Sequence, residues 1–297
     1  MKSLRALYRL LGIVAVGIGM TLLQGLVVGP ILRNRTKLAQ WVHKGVAKFM
    51  NIDVVIRGKP NPKQQALIIS NHMSEFDASV IGTVFRGAFI GKREIAKWPV
   101  IGFLVKQYDF IGVKRARKKD GQEAYAEAQA HAHYKVTNAV NQGKSIVFFG
   151  EATTTNGQTV IPFRAGMLRI LFDGAVDRDG NALKVTADVK VQPVAIRVLN
   201  VNGRDATNDQ YLRDYYAWYG NSESMLAHVW KKAARANRIV VELTILPALD
   251  AKDFATPEDL ANAAHKLVAD VVDPGWDTRI SAPAASPAPA SAPQSPV

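Results

Sequence analysis

Cysteine is absent from all 297 residues. That excludes disulfides, thiolate metal sites and a cysteine nucleophile together, and it fits a reducing compartment. Acidic residues are scarce beside basic ones: 25 Asp and Glu face 38 Lys and Arg, a formal net charge of +13. Such an imbalance favours anionic partners: nucleic acid, acidic lipid headgroups or phosphorylated substrates. Several signatures are missing too. No Gly-x-Ser-x-Gly nucleophile elbow occurs. Gly143-Lys144-Ser145 has Asn138 where a P-loop needs glycine, and Gly17-x-Gly19 lacks the third glycine of a dinucleotide fingerprint. His131 and His133 stand two apart on a predicted helix, so they point to different sides and make a poor metal pair. No metal site is expected.

Charge is also absent from Leu10 through Leu32. An apolar run of this length can cross a bilayer core with some tilt. Lys2, Arg5 and Arg9 precede it and Arg33, Arg35, Lys37 and Lys44 follow, so loop charge does not fix an orientation. No A-x-A-like cleavage site follows, which argues against a signal peptide. Five glycines and Gly29-Pro30 suit a second arrangement, a segment that dips into one leaflet or lies in the interface. The next predicted helix, Lys37 to Met50, carries Trp41 among lysines, which suits the headgroup level. A buried soluble helix hairpin is the remaining reading.

Beyond residue 50, short apolar runs alternate with helical stretches. Strands are predicted at 53–58, 66–70, 88–92, 110–113, 145–149, within 185–198 and at 238–246. Helices are predicted at 78–85, 100–105, 122–140, 164–175 and 257–271, the last with Thr256 as N-cap and Pro257 at its first position. The alternation argues for an α/β layered domain with a mixed, largely parallel sheet flanked by helices, preceded by N-terminal membrane-attached helices. The division is 1–50 for the anchoring helices and 51–280 for the α/β domain. Residues 281–297, almost only Ala, Pro and Ser, form a disordered tail.

The stretch Ser70-Asn71-His72-Met73-Ser74-Glu75-Phe76-Asp77 links a predicted strand to a predicted helix. His72 with Asp77 five residues on makes a possible base and its orienter. Five is not a same-face helical spacing, so the two must meet across the turn. Other signals close other predicted strands. They are Lys92 with Lys97-Trp98-Pro99 and Gly102, Phe110-Ile111 with the basic run from Lys114 to Lys119, Gly150-Glu151-Ala152-Thr153 leading to Arg164, and Gln192-Pro193. Ligand sites in open α/β sheets gather at such ends.

In order and spacing these blocks over residues 66–198 resemble the glycerolipid acyltransferase family, and within it the 1-acylglycerol-3-phosphate acyltransferases. The Asn-His-x4-Asp block is complete in Asn71, His72 and Asp77. Phe110 and Ile111 match the Phe-Ile-x-Arg block, but Val113 stands where arginine is usual, with Lys114 and Arg115 after it. Gly150 and Ala152 replace the proline and glycine of Pro-Glu-Gly-Thr, while Glu151 and Thr153 remain. The Thr-Thr-Asn-Gly that follows, and Trp218-Tyr219-Gly220 with His228 and Trp230, resemble a bacterial subgroup that includes lyso-ornithine lipid acyltransferases.

The resemblance implies an O-acyltransferase that moves a fatty acyl group from a thioester to the hydroxyl of lysophosphatidate, with His72 and Asp77 catalytic. A lyso-ornithine lipid acceptor is the alternative. Asn71, Lys92, Lys114, Arg115, Glu151, Thr153 and Arg164 would be the substrate-binding residues, with Glu151 and Thr153 either at the glycerol part of the acceptor or bracing the loop. No cofactor is implied. Acyl-CoA or acyl carrier protein is the donor substrate, and the carrier protein a possible partner. Acidic-lipid membrane, rather than nucleic acid, is the partner surface, with the protein at the bacterial inner membrane and its site facing the cytoplasm. A basic membrane- or nucleic-acid-binding protein without catalysis is the rival reading from charge alone.

Overall fold

Strand β2 (Ala66–Ser70) is buried along its whole length. Its side chains alternate between two cores, Leu67 and Ile69 on one face, Ala66 and Ile68 on the other. A strand covered on both faces is what a near-continuous apolar run encodes. In the computed structural model, residues 2–23, 35–61, 63–97, 102, 105, 110–114, 121–176, 180–220, 223–235 and 237–274 are described. Around β2 lie β1 (Ile52–Arg57), β3 (Ala88–Lys92), β4 (Phe110–Val113), β5 (Ile146–Phe149), the short β6 (Ala175–Val176) and β7 (Ala182–Leu183), β8 (Lys190–Val201), β9 (Arg204–Asp205) and β10 (Ile239–Ile245). The main sheet runs β1-β10-β8-β2-β5-β3-β4, with β9 on β8. Neighbours are parallel except where β8 meets β10 and β9. The expected mixed, largely parallel sheet is present.

Helices α1 (Lys2–Leu23), α2 (Arg35–Phe49), α3 (Asp77–Gly82), α4 (Gln122–Asn141), α5 (Gln210–Arg213), α6 (Met225–Ala234) and α7 (Pro257–Val272) flank it. Ala6 and Ile13 of α1 and Val42, Val46 and Met50 in and after α2 share one core with Ile68, Ile196 and Val241 of the sheet. The other face packs Val136 of α4 and Leu260, Ala264 and Val268 of α7 on Leu67, Ile146 and Val191. Thr256 caps α7 as expected, its hydroxyl accepting from the Asp259 N–H with Pro257 behind it.

Two expectations change, and residues 24–32 of the uncharged run lie outside the described residues. The helix predicted over 164–175 is a 3-10 helix, Ala165–Leu171. Its extension is pre-empted: Gly174 takes a left-handed φ of 73°, and Ala175 pairs with Leu183. The strand predicted within 185–198 is β8, shifted to run through Val201 by its pairing with β10. Among the described residues no helix is long and apolar enough to cross a membrane. Helix α1 starts at Lys2 and so takes Lys2, Arg5 and Arg9 into its first turns, and it packs on the body. Arg5 and Arg9 donate to the carbonyls of Ala234 and Ala233, at the C-terminal end of α6, where carbonyls lack helical partners. Most of the predicted 100–105 helix, Arg115 and the 281–297 tail lie outside the described residues.

Candidate active site

Strands β2, β5, β3 and β4 are mutually parallel neighbours, so their C-terminal ends lie along one edge of the sheet. That edge carries Asn71 and His72 after β2, Glu151 after β5, Lys92 closing β3 and Lys114 after β4. At about 4.8 Å between strands, Lys92 stands about 10 Å and Lys114 about 14 Å from the end of β2. β3 pairs with β5 only at Ala88 and Phe89 and then continues beside β4. The edge therefore opens between Phe149 and Lys92.

His72 and Asp77 meet across the loop: Nδ1 lies 2.8 Å from Asp77 Oδ2. The same oxygen accepts the N–H groups of Met73 at 2.7 Å and Ser74 at 2.8 Å. An oxygen facing two N–H donors is an acceptor, which puts the imidazole proton on Nδ1 and leaves Nε2 free to accept one. Nε2 has no hydrogen-bond partner among the described residues. Asp77 is fully buried, while the His72 side chain keeps 18% of its surface exposed. The imidazole stacks on Phe149, centroids 3.7 Å apart and planes 5° from parallel. One ring face and one nitrogen are thus fixed, and the other nitrogen points away from its anchor.

The rest of the loop is braced through side chains that imitate backbone. Asn71 is buried and pairs both ways with Ile196 of β8, donating to its carbonyl at 2.9 Å and accepting its N–H at 2.8 Å. The side chain thereby prolongs the β2–β8 ladder beyond Ser70, which pairs with Val194. Glu151 is fully buried. One carboxyl oxygen accepts the His72 N–H and the other the Ile161 N–H at 2.9 Å. Burial pushes its carboxyl up to about 8, against those two hydrogen bonds; the charge of Asp77 adds to the rise. Both oxygens serve the loop, so of the two roles expected for Glu151, bracing is the one its contacts match. Thr155 N–H closes the turn on the His72 carbonyl at 2.8 Å.

Two departures in the 150–153 turn have local causes. Ala152 sits at φ 56°, a left-handed position that favours glycine. Gly150 donates its N–H to the Ser70 carbonyl, and a Cβ there would lie 2.4 Å from the Phe163 ring. Proline would lose that hydrogen bond and clash. Thr153 is exposed on the turn; Arg164 is exposed too, its backbone N–H bound to the Gly150 carbonyl at 2.9 Å. Lys92 and Lys114 are exposed, with no carboxylate partner among the described residues.

Behind the loop lies a buried group in which Tyr216 and Lys232 join Glu75 and His228; the first two were not singled out in the sequence. Tyr216 donates to the other Asp77 oxygen, Oδ1, at 2.7 Å. Lys232 of α6 lies over the rings of Phe76 and Tyr216. Glu75 and His228 face each other, Oε1 to Nε2, at 3.7 Å. Burial raises the Glu75 carboxyl to about 8 and lowers the Lys232 ammonium to about 7. Among the described residues no cluster of His, Asp and Glu could hold a metal ion.

The site is thus an α/β sheet edge with a histidine–carboxylate pair at its strand ends. Residues 51–197, just under half of the chain, match the Acyltransferase family model, and this segment is an acyltransferase-family domain. It is 29% identical to the lyso-ornithine lipid O-acyltransferase of Brucella abortus over 64% of this chain and 66% of that one. It is 28% identical to the 1-acyl-sn-glycerol-3-phosphate acyltransferase of Neisseria gonorrhoeae over 61% and 63%. It is 27% identical to the lyso-ornithine lipid O-acyltransferase of Pseudomonas aeruginosa over 88% and 89%. The chain thus matches just under two thirds of the length of the Brucella and Neisseria relatives. The crystal structure of the 1-acyl-sn-glycerophosphate acyltransferase PlsC from Thermotoga maritima shares the fold, with a TM-score of 0.50, 20% identity, and 95% of this chain and 99% of that one covered.

Proposed function

We propose that this protein is a lysolipid O-acyltransferase in which His72 is the general base. The observation that carries the reading is the His72 Nδ1–Asp77 Oδ2 contact at 2.8 Å with Nε2 left without a partner among the described residues. Nε2 takes the proton of the acceptor hydroxyl as its oxygen attacks the thioester carbonyl carbon. The tetrahedral intermediate expels the donor thiolate, which recovers the proton from the imidazolium. Asp77 holds the tautomer and stabilises the imidazolium. The step balances with an acyl thioester, acyl-CoA or acyl carrier protein, and the acceptor alone, so it calls for no cofactor. Glu151 and Asn71 keep the loop in place, and the opening between β5 and β3 admits the acceptor headgroup.

Lysophosphatidate is the acceptor we propose. Lys92, Lys114 and Arg164 are exposed cations along the same edge as His72, free of carboxylate partners among the described residues, and suited to a phosphate. Similarity to the Pseudomonas lyso-ornithine lipid enzyme over 88% of the chain, with Val113 where arginine was expected, favours a lyso-ornithine lipid as the second reading. The apolar residues Leu4, Leu7, Tyr8 and Leu11 of α1 and Trp41 of α2 are exposed. They support attachment within the interface of the bacterial inner membrane, on its cytoplasmic side, rather than crossing.

Purified full-length protein with acyl-CoA and each lysolipid separately tests the reading. Changing His72→Ala is expected to lower kcat by about 10³-fold. Acyl transfer that survives this change sinks the assignment of the base. Thioester consumption with neither acceptor would leave the binding-protein reading in possession of the field.

A further inference from the structure

We infer that Tyr216 is a positioning residue for the His72–Asp77 pair, contributed by a segment outside the matched acyltransferase domain, residues 51–197. A carboxylate that is to aim Oδ2 at an imidazole must have its other oxygen held, or it can rotate about its terminal torsion. Oδ2 already accepts from His72, Met73 and Ser74. Among the described residues, Oδ1 has one donor, the Tyr216 hydroxyl at 2.7 Å. Tyr216 is fully buried, and its ring is held near Phe76, centroids 6.5 Å apart, and under Lys232 Nζ at 5.2 Å. Two residues on, Trp218 donates its N–H to the Met73 carbonyl at 2.7 Å. The 216–218 segment therefore grips the catalytic loop at two points, one side chain and one backbone.

The hydroxyl is suited to a permanent donor. Burial first, then the charge of Asp77, holds its pKa well above the ordinary tyrosine range, so it stays protonated. Its hydrogen bond also draws charge away from the carboxylate. Without it, Asp77 would stabilise the His72 imidazolium more strongly. The other titratable groups facing the pair are Glu75 in the loop, Glu151 after β5 and Lys232 on α6.

The inference rests on the reading of His72 and Asp77 as the catalytic pair, and one experiment separates the two. Steady-state acyl transfer is measured against pH for the full-length protein and for Tyr216→Phe, Asp77→Asn and the double variant, with thermal melts as the check on folding. For Tyr216→Phe we expect kcat to fall about tenfold with KM unchanged, the worth of a hydrogen bond to a charged group. The acid limb of the kcat profile should move to higher pH, by about half a unit. In the Asp77→Asn background the same change should cost nothing further, because Tyr216 acts through Asp77. A wild-type kcat and acid limb in Tyr216→Phe, or an additive loss in the double variant, overturns the inference. Should Tyr216→Phe fail to fold, 3-fluorotyrosine placed at 216 keeps the ring and strengthens the donor. The acid limb should then move to lower pH, and an unmoved limb overturns the inference. Activity in His72→Ala would overturn the earlier reading instead.

Discussion

At the ends of β2 and β5, Asn71, Asp77 and Glu151 are buried and every side-chain oxygen among them accepts a hydrogen bond from the protein. Two strands away, at the ends of β3 and β4, Lys92 and Lys114 are exposed and unpaired among the described residues. The same sheet edge thus has a locked half and an open half. The locked half has little freedom to move without leaving buried polar atoms orphaned, at about 1–3 kcal/mol each. The open half can change side chain by side chain at almost no cost to the fold. Proton transfer needs the first kind of construction, and headgroup recognition tolerates the second. Under the proposed function, the chemistry falls to the locked half and acceptor recognition to the adjustable one.

The contrast can be broken at its strongest point first. Asp77→Asn should lower kcat by about 10³-fold while the protein still melts cooperatively, since it changes the tautomer more than the shape. A loss under tenfold would show that the locked half is locked for stability alone. The next test is in pH. The folded pKa of Glu75, about 8, lies above its ordinary 4.5. The native state therefore holds that proton more tightly than the unfolded chain does. Its contribution to stability is intact below pH 4.5 and is lost as pH rises toward 8. In urea melts at a series of pH values, Glu75→Gln should flatten this fall, by about 4 kcal/mol at pH 8 relative to pH 4.5. Matching slopes in both proteins would mean that the buried group behind the loop is open to water.

On the open half the effects shrink. Lys92→Ala should raise KM for an anionic acceptor about fivefold and leave kcat alone, and 0.5 M salt should mimic it. A change in kcat instead would move Lys92 to the locked half. Least of all, Ala152→Gly should stabilise the protein by about 0.5 kcal/mol, the left-handed penalty of alanine less the entropy of glycine. A differential-scanning melt that falls rather than rises would mean the alanine methyl is packing usefully.

Much of this was legible in the sequence where the determinants are local. Strands β3 and β4 fall on the expected residues, and α7 begins at its Thr256–Pro257 signal. The His72–Asp77 loop was legible as a spacing because both residues lie in one turn. What escaped was nonlocal. Tyr216 reaches Asp77 over 139 residues of sequence, and no local pattern marks a tyrosine as a carboxylate's partner rather than core. Helix α6, ten residues long and capped by Ser224, was not predicted, because it follows a stretch without clear periodicity. Glu151 was legible as a site residue with bracing as one of two roles, and Asn71 as a member of the site but not as a brace, because that depends on which backbone groups β8 brings to it.

The pairing of β1 has a consequence for the order in which the molecule is made. Its partner in the sheet is β10, residues 52–57 beside 239–245, and α1 is fastened to the end of α6. On a ribosome adding about 5–20 residues per second, the first sixty residues wait about ten to forty seconds for those partners to emerge. During that interval α1 and α2 have each other, as in the Tyr8–Phe49 contact, but not the sheet and α6 surfaces that complete their core. A chaperone, or the membrane itself, would be their first companion, and the catalytic loop would be clamped only after Tyr216 had left the exit tunnel.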